Sequence, residues 1–99
     1  MSRLPCLSED ALNAEIAGAH YFAAVAWDKA KSATRERTEA KHRLAGPLTR
    51  GWVGYYALRR SGLADEIRMY LSARALYRAR ITAAEAELAR RRTQRLLAA

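Results

Sequence analysis

Cysteine occurs once in the 99 residues, at Cys6, so no intrachain disulfide can staple the fold, and a reducing, cytoplasmic setting is expected. Proline occurs twice, at Pro5 and Pro47, and glycine five times, which leaves long stretches without a helix breaker. No apolar run reaches the roughly 20 residues of a membrane-spanning helix. The longest, Ile16 to Trp27, is interrupted by His20, so no membrane partner is expected. The start MSRLPCLSED meets acids after only a few apolar residues and lacks the apolar region and cleavage site of a signal peptide; export by that route is not expected. Chemistry-bearing motifs are absent too. There is no Gly-rich phosphate loop, and Ser8, His20 and Asp28 suggest no nucleophile arrangement. His20 and His42 lie 22 residues apart without a companion cysteine, so no metal site is expected. Glu36 with Glu39, and Glu85 with Glu87, have basic neighbours that make them ordinary salt-bridged helix surface. A catalytic role and a cofactor are therefore not expected.

What is present is a seven-residue repeat. Leu12, Ile16, Ala19, Ala23, Ala26, Ala30, Ala33, Arg37, Ala40 and Leu44 follow one another at alternating steps of four and three, the spacing of a helix seam built to meet another helix. Most of these positions are Ala, so the backbones can approach closely and association rests on fit along a long contact.

The punctuation predicts an all-α chain: a long antiparallel helical hairpin with a short helix at the bend, residues 1–99 forming a single small helical domain. Ser8 followed by Glu9 and Asp10 is a helix start, because the serine oxygen caps free amides and the acids complement the positive helix end. The first helix is expected over about 9–45, on the order of 55 Å long, stopped by Gly46-Pro47. A short second helix is expected over 48–60, broken at Ser61-Gly62, and a third over 63–97. The third carries a matching stripe in Leu63, Ile67, Tyr70, Tyr77, Ile81, Ala84 and Leu88, interrupted by Arg74. Aligning Leu44 with Leu63 places Arg37 near Tyr70, Ala30 near Tyr77 and Ala19 near Leu88, small side chains against large ones. It also sets Glu9, Asp10 and Glu15 beside Arg90, Arg91, Arg92 and Arg95. A second apolar face remains, with Tyr21 and Val25 on the first helix and Met69 and Leu76 on the third. These four are the candidate partner interface, to be covered by the middle helix, a second copy or another subunit.

Lys and Arg total 18, of which 15 are Arg, against 10 acids, for a net charge of +8 that favours an anionic partner. Between Lys29 and Arg60 stand nine basic residues against two acids, so the bend is the uncompensated region. There RGWVGYYALRR interleaves Trp52, Tyr55 and Tyr56 with Arg50, Arg59 and Arg60, and rings that stack on bases beside arginines that hold phosphates suit single-stranded nucleic acid. The bland alternative is that Trp52 and Tyr56 plug the end of the bundle while the arginines are solvated. The candidate nucleic-acid contacts are Arg35, Lys41, Arg43, Arg50, Trp52, Arg59 and Arg60, continued by Arg74, Arg78 and Arg80. Gly62 followed by Leu63 invites a helix-turn-helix reading, but Leu58 stands where that motif needs a small side chain.

In size, basicity, helical content and lack of a catalytic motif the chain resembles the small helical subunit of multi-subunit CRISPR effector complexes. The resemblance is a profile over the whole chain, without a sequence signature, so it assigns no residue a role. It implies a non-catalytic subunit of a ribonucleoprotein, several copies stacked head to tail, stabilising duplex or displaced strand by basic surface. The expected partners are RNA or single-stranded DNA together with other protein subunits, and a long hairpin with a Gly-rich bend also allows self-association. The rival reading is a helical protein-interaction module, such as a phage- or plasmid-encoded inhibitor or adaptor, whose arginines meet acidic side chains.

Overall fold

A computed structural model describes residues 4–99; the first three residues of the N-terminal segment read above for export lie outside them. Helix is the sole regular secondary structure among the described residues: a short 3-10 turn at Leu4–Cys6, α1 over Glu9–Ala45 and α2 over Arg50–Ala98. α1 starts as the sequence dictates. The Ser8 carbonyl accepts from Leu12 N at 2.9 Å, and its Oγ accepts from Ala11 N at 3.1 Å, satisfying an amide that the first turn leaves without a partner. α1 ends before Gly46, whose amide donates to the Arg43 carbonyl at 3.2 Å. His42 and Arg43 stand in its last turn, where cations complement the negative helix end.

The second half differs from expectation. The chain does not break at Ser61-Gly62, and there is no separate middle helix over 48–60: α2 runs unbroken for 49 residues. Its first bond runs from Val53 N to the Thr49 carbonyl at 3.0 Å, so Pro47 belongs to the connection rather than to a helix. Gly51, Gly54 and Gly62 are accommodated in helical conformation, none with positive φ, although each costs about 0.5–1 kcal/mol relative to Ala. Leu63, next to Gly62, is buried to 1% exposure, which contributes about 1.5–3 kcal/mol. Arg59, three residues before Gly62, bonds Glu36 of α1 at 2.7 Å and Glu66 of its own helix at 3.4 Å. Contacts on both sides of the glycine thus hold the helix through it, and propagation of an existing helix is far less demanding than nucleating a new one.

The chain divides into two compact units, one comprising Val25–Ala73 and the other the segment up to Ala24 with Arg74–Ala99. Each contains an antiparallel pairing of α1 with α2, and together the two helices make an all-α helical hairpin. The Ala seam is real in both. Leu12, Ala19 and Ala23 are buried in the first-and-last-segment unit, opposite a helix that buries Ile81 and Ala84. Ala26, Ala30, Ala33 and Ala40 are buried in the central unit together with Leu63. Arg37, the charged seam position, is exposed.

The pairing register departs from the Leu44-to-Leu63 alignment by about one heptad. Tyr70 lies under the Lys29 ammonium, 5.9 Å from ring centroid, rather than beside Arg37. Tyr77 is stacked by Phe22 at 5.5 Å, where Ala30 had been expected. The cause is the position of the bend: reversal occurs in the four residues between Ala45 and Arg50, not around a middle helix ending at Gly62. A shift of one heptad leaves the same faces in contact, so the seam survives the change of partners.

Charge joins the start of α1 to the end of α2. Arg95 pairs with Glu9 at 2.8 Å, as the charge pattern suggests, whereas Arg90 and Arg91 turn to Glu87 on their own helix. Glu87 is buried, and the Arg90 guanidinium bonded to it holds its carboxyl down to about 2, against the opposing effect of desolvation and with a further contribution from Arg91. Arg91 Nη2 also donates to the carbonyls of Leu4 at 3.1 Å, Pro5 at 3.3 Å and Leu7, fixing the N-terminal turn against α2.

Candidate functional site

The first turns of α2 gather aromatic rings beside cations. Trp52 and Tyr56, one turn apart, stack with centroids at 5.8 Å, and Tyr55 meets both edge-on at 5.6 and 5.1 Å. Helical spacing makes this cluster, since side chains at i, i+3 and i+4 share a face. It does not plug the hairpin: Trp52 and Tyr55 are each 54% exposed, and only Tyr56 is half-buried. Thr49, Gly51, Trp52 and Tyr55 line an open depression at this end.

The cations divide into engaged and unengaged groups. Arg50 is the first residue of α2, where a positive charge opposes the helix dipole and gains from an external anion. It is exposed and Arg60 half-buried, and neither forms an ion pair among the described residues. Lys41 is exposed as well. Arg43 pairs loosely with Glu39 at 3.7 Å, and Arg35 donates to the Ser32 hydroxyl at 3.3 Å, a neutral acceptor that leaves its charge uncompensated. Arg59 is different. Its bond to Glu36, with Glu66 nearby, raises its pKa further and commits it to the helix pairing, so it is a structural residue first.

In the other unit, Arg80 sits over the Tyr77 ring at 5.5 Å, Arg78 is exposed and Arg74 is half-buried. Arg35, Lys41, Arg43, Arg50, Trp52, Arg59 and Arg60 thus belong to the central unit, and Arg74, Arg78 and Arg80 to the first-and-last-segment unit. The apolar candidates are similarly divided. Tyr21 and Leu76, each 66% exposed, fall in one unit, and Val25, half-buried, and Met69, exposed, in the other.

Two features escaped sequence reasoning. One is the Glu87 cluster, whose Arg91 reaches backbone more than 80 residues away in the chain. The other is a pair of grooves flanking the seam of the central unit, one polar around Asp28, Glu36, Glu66 and Tyr70, the other apolar around Trp27, Ile67 and Leu71. Among the described residues no group of three or more His, Cys, Asp or Glu gathers in metal-binding reach, and no helix is long and apolar enough to cross a membrane. Comparison of the chain with family models, with curated proteins and with solved structures found no match.

Proposed function

We propose that this protein is a non-catalytic helical module that binds nucleic-acid backbone without sequence preference, through the start of α2 and the adjoining end of α1. The observation that carries this reading is the exposure of Trp52 and Tyr55 beside Arg50 and Arg60. Burying those rings would contribute to stability, yet they stand in solvent next to cations without a protein counter-ion. Lys41 and Arg43 extend the positive surface along α1. Phosphate contacts of this kind add affinity and salt dependence but little sequence information. Work within a larger ribonucleoprotein, as in the small subunits of CRISPR effectors, accords with the extent of exposed apolar surface, which includes Tyr21, Met69 and Leu76.

Fluorescence anisotropy of labelled single-stranded RNA, single-stranded DNA and duplex across a salt series tests the reading. The expected result is binding at low salt that falls steeply with salt and is indifferent to sequence. Arg50→Glu with Arg60→Glu should reduce the log–log salt slope by about 2, roughly one per lost phosphate contact. Arg59 is unsuitable for this test because its replacement also breaks the pairing with Glu36. No binding at low salt would overturn the proposal and leave the helical protein-interaction module, which the 66% exposure of Tyr21 and Leu76 favours.

A further inference from the structure

The apolar groove of the central unit has a defined construction. Its α1 wall is Trp27, Ala30, Lys31, Thr34 and Arg35, and its α2 wall is Ile67 and Leu71, enclosing about 460 Å³. Ala30 is the buried floor, while Trp27 and Leu71 remain 41% exposed at the sides. Thr34 presents its methyl group, because its hydroxyl is spent on the Ala30 carbonyl at 2.8 Å. Lys31 and Arg35, one turn apart, form a cationic rim along α1. The groove extends for about two helical turns, roughly 12 Å from Trp27 to Arg35.

Charge is distributed unequally between this groove and its polar counterpart. Asp28, Glu36 and Glu66 all line the other one, which shares no residue with it. Arg35 is bonded to a neutral hydroxyl, and Lys31 meets Asp28 at 3.5 Å in a solvent-exposed, weak pair. A second copy of the chain is a poor occupant. Apart from Asp28, six of its ten acids (Glu9, Glu36, Glu39, Asp65, Glu66 and Glu87) already pair within the molecule. Two copies would also bring +8 against +8.

We infer that this groove is a docking site for an amphipathic helix of another protein, with apolar anchors at i, i+3 or i+4 and i+7 seated between Trp27 and Leu71 and acidic side chains along the flank that meets Lys31 and Arg35. Shape and chemistry agree: an apolar floor between two helices accepts a third helix, and the rim sets its orientation by charge. The partner is acidic, and the surface is separate from the aromatic cluster of α2.

The groove carries its own reporter in Trp27. The 99-residue chain with Trp52→Phe, which leaves Trp27 as its single tryptophan, is titrated with a synthetic Ala-based helical peptide bearing a Leu stripe flanked by Glu, and with the same peptide flanked by Lys. The expected result is a saturable blue shift of Trp27 emission, at least tenfold tighter for the Glu peptide. Leu71→Glu, at a partly exposed position, should weaken that binding at least tenfold with the helical circular dichroism retained. Lys31→Glu with Arg35→Glu should reverse the preference toward the Lys peptide. Equal affinity for the two peptides, no spectral shift, or a charge-reversed variant that keeps the original preference would overturn the inference. A dimer in light scattering that Leu71→Glu dissociates would overturn it in favour of a second copy.

Discussion

Replacing Gly62 probes the continuity of α2 directly. In the unbroken helix Gly62 has ordinary helical φ, and a Cβ placed on it meets nothing within 4 Å. Gly62→Ala therefore removes the entropic cost of glycine without creating a clash, and should stabilise the protein by about 0.5–1 kcal/mol. For a chain of this size that corresponds to a rise of roughly 2–8 °C in Tm. Gly62→Pro should do the opposite, because the ring removes the amide bond to the Leu58 carbonyl and collides with that carbonyl, at a cost of about 3 kcal/mol or more. A chain broken at Ser61-Gly62 reverses both signs. A left-handed glycine there would make Ala unfavourable by about 1–2 kcal/mol, and proline would be acceptable in the first turn of a new helix. Both tryptophans lie in the unit that contains Gly62, so urea unfolding followed by tryptophan fluorescence reports the relevant transition. A lowered midpoint for Gly62→Ala, or an unchanged one for Gly62→Pro, would refute the continuous helix and the pairing register that depends on it.

Glu87 makes stability depend on acid. Its carboxyl is held down to about 2 from an ordinary 4.5, so the folded state binds fewer protons than the unfolded one between those values. Its contribution should be complete above about pH 4.5 and be lost as pH falls toward 2, and Glu87→Gln should flatten that part of a pH-denaturation profile; an identical profile would contradict the Arg90 and Arg91 pairing. Close helix approach makes Ala84, fully buried, intolerant of bulk: Ala84→Leu should cost about 1–3 kcal/mol by overpacking, while Ala24→Leu, at an exposed position, should change the urea midpoint little. Equal effects would contradict the Ala seam. Ser8→Ala should cost about 1 kcal/mol by removing the cap on Ala11 N, visible as a lower thermal midpoint and faster amide exchange in the first turn of α1.

Local chemistry determined much of this protein. A serine followed by two acids places the start of α1, a Gly-Pro pair stops it, and alanines at steps of four and three mark the face that packs, because each of these signals operates within one or two helical turns. The same reasoning located the aromatic and basic residues of the bend but not their states. That Trp52 is exposed and Arg59 engaged by Glu36 depends on which residues of the other helix arrive opposite them. The tertiary structure alone decided the position of the reversal. A glycine is compatible with both a break and a helix interior, and Gly62 is helical because the burial of Leu63 and the pairing of Arg59 outweigh its intrinsic cost. That choice moved the register by a heptad while preserving the seam, since a seven-residue repeat specifies a face and leaves the partner along it to be set by the length of the connection. The clamp of Arg91 on the N-terminal turn and the groove between Trp27 and Leu71 follow from the register, and no local pattern encodes either.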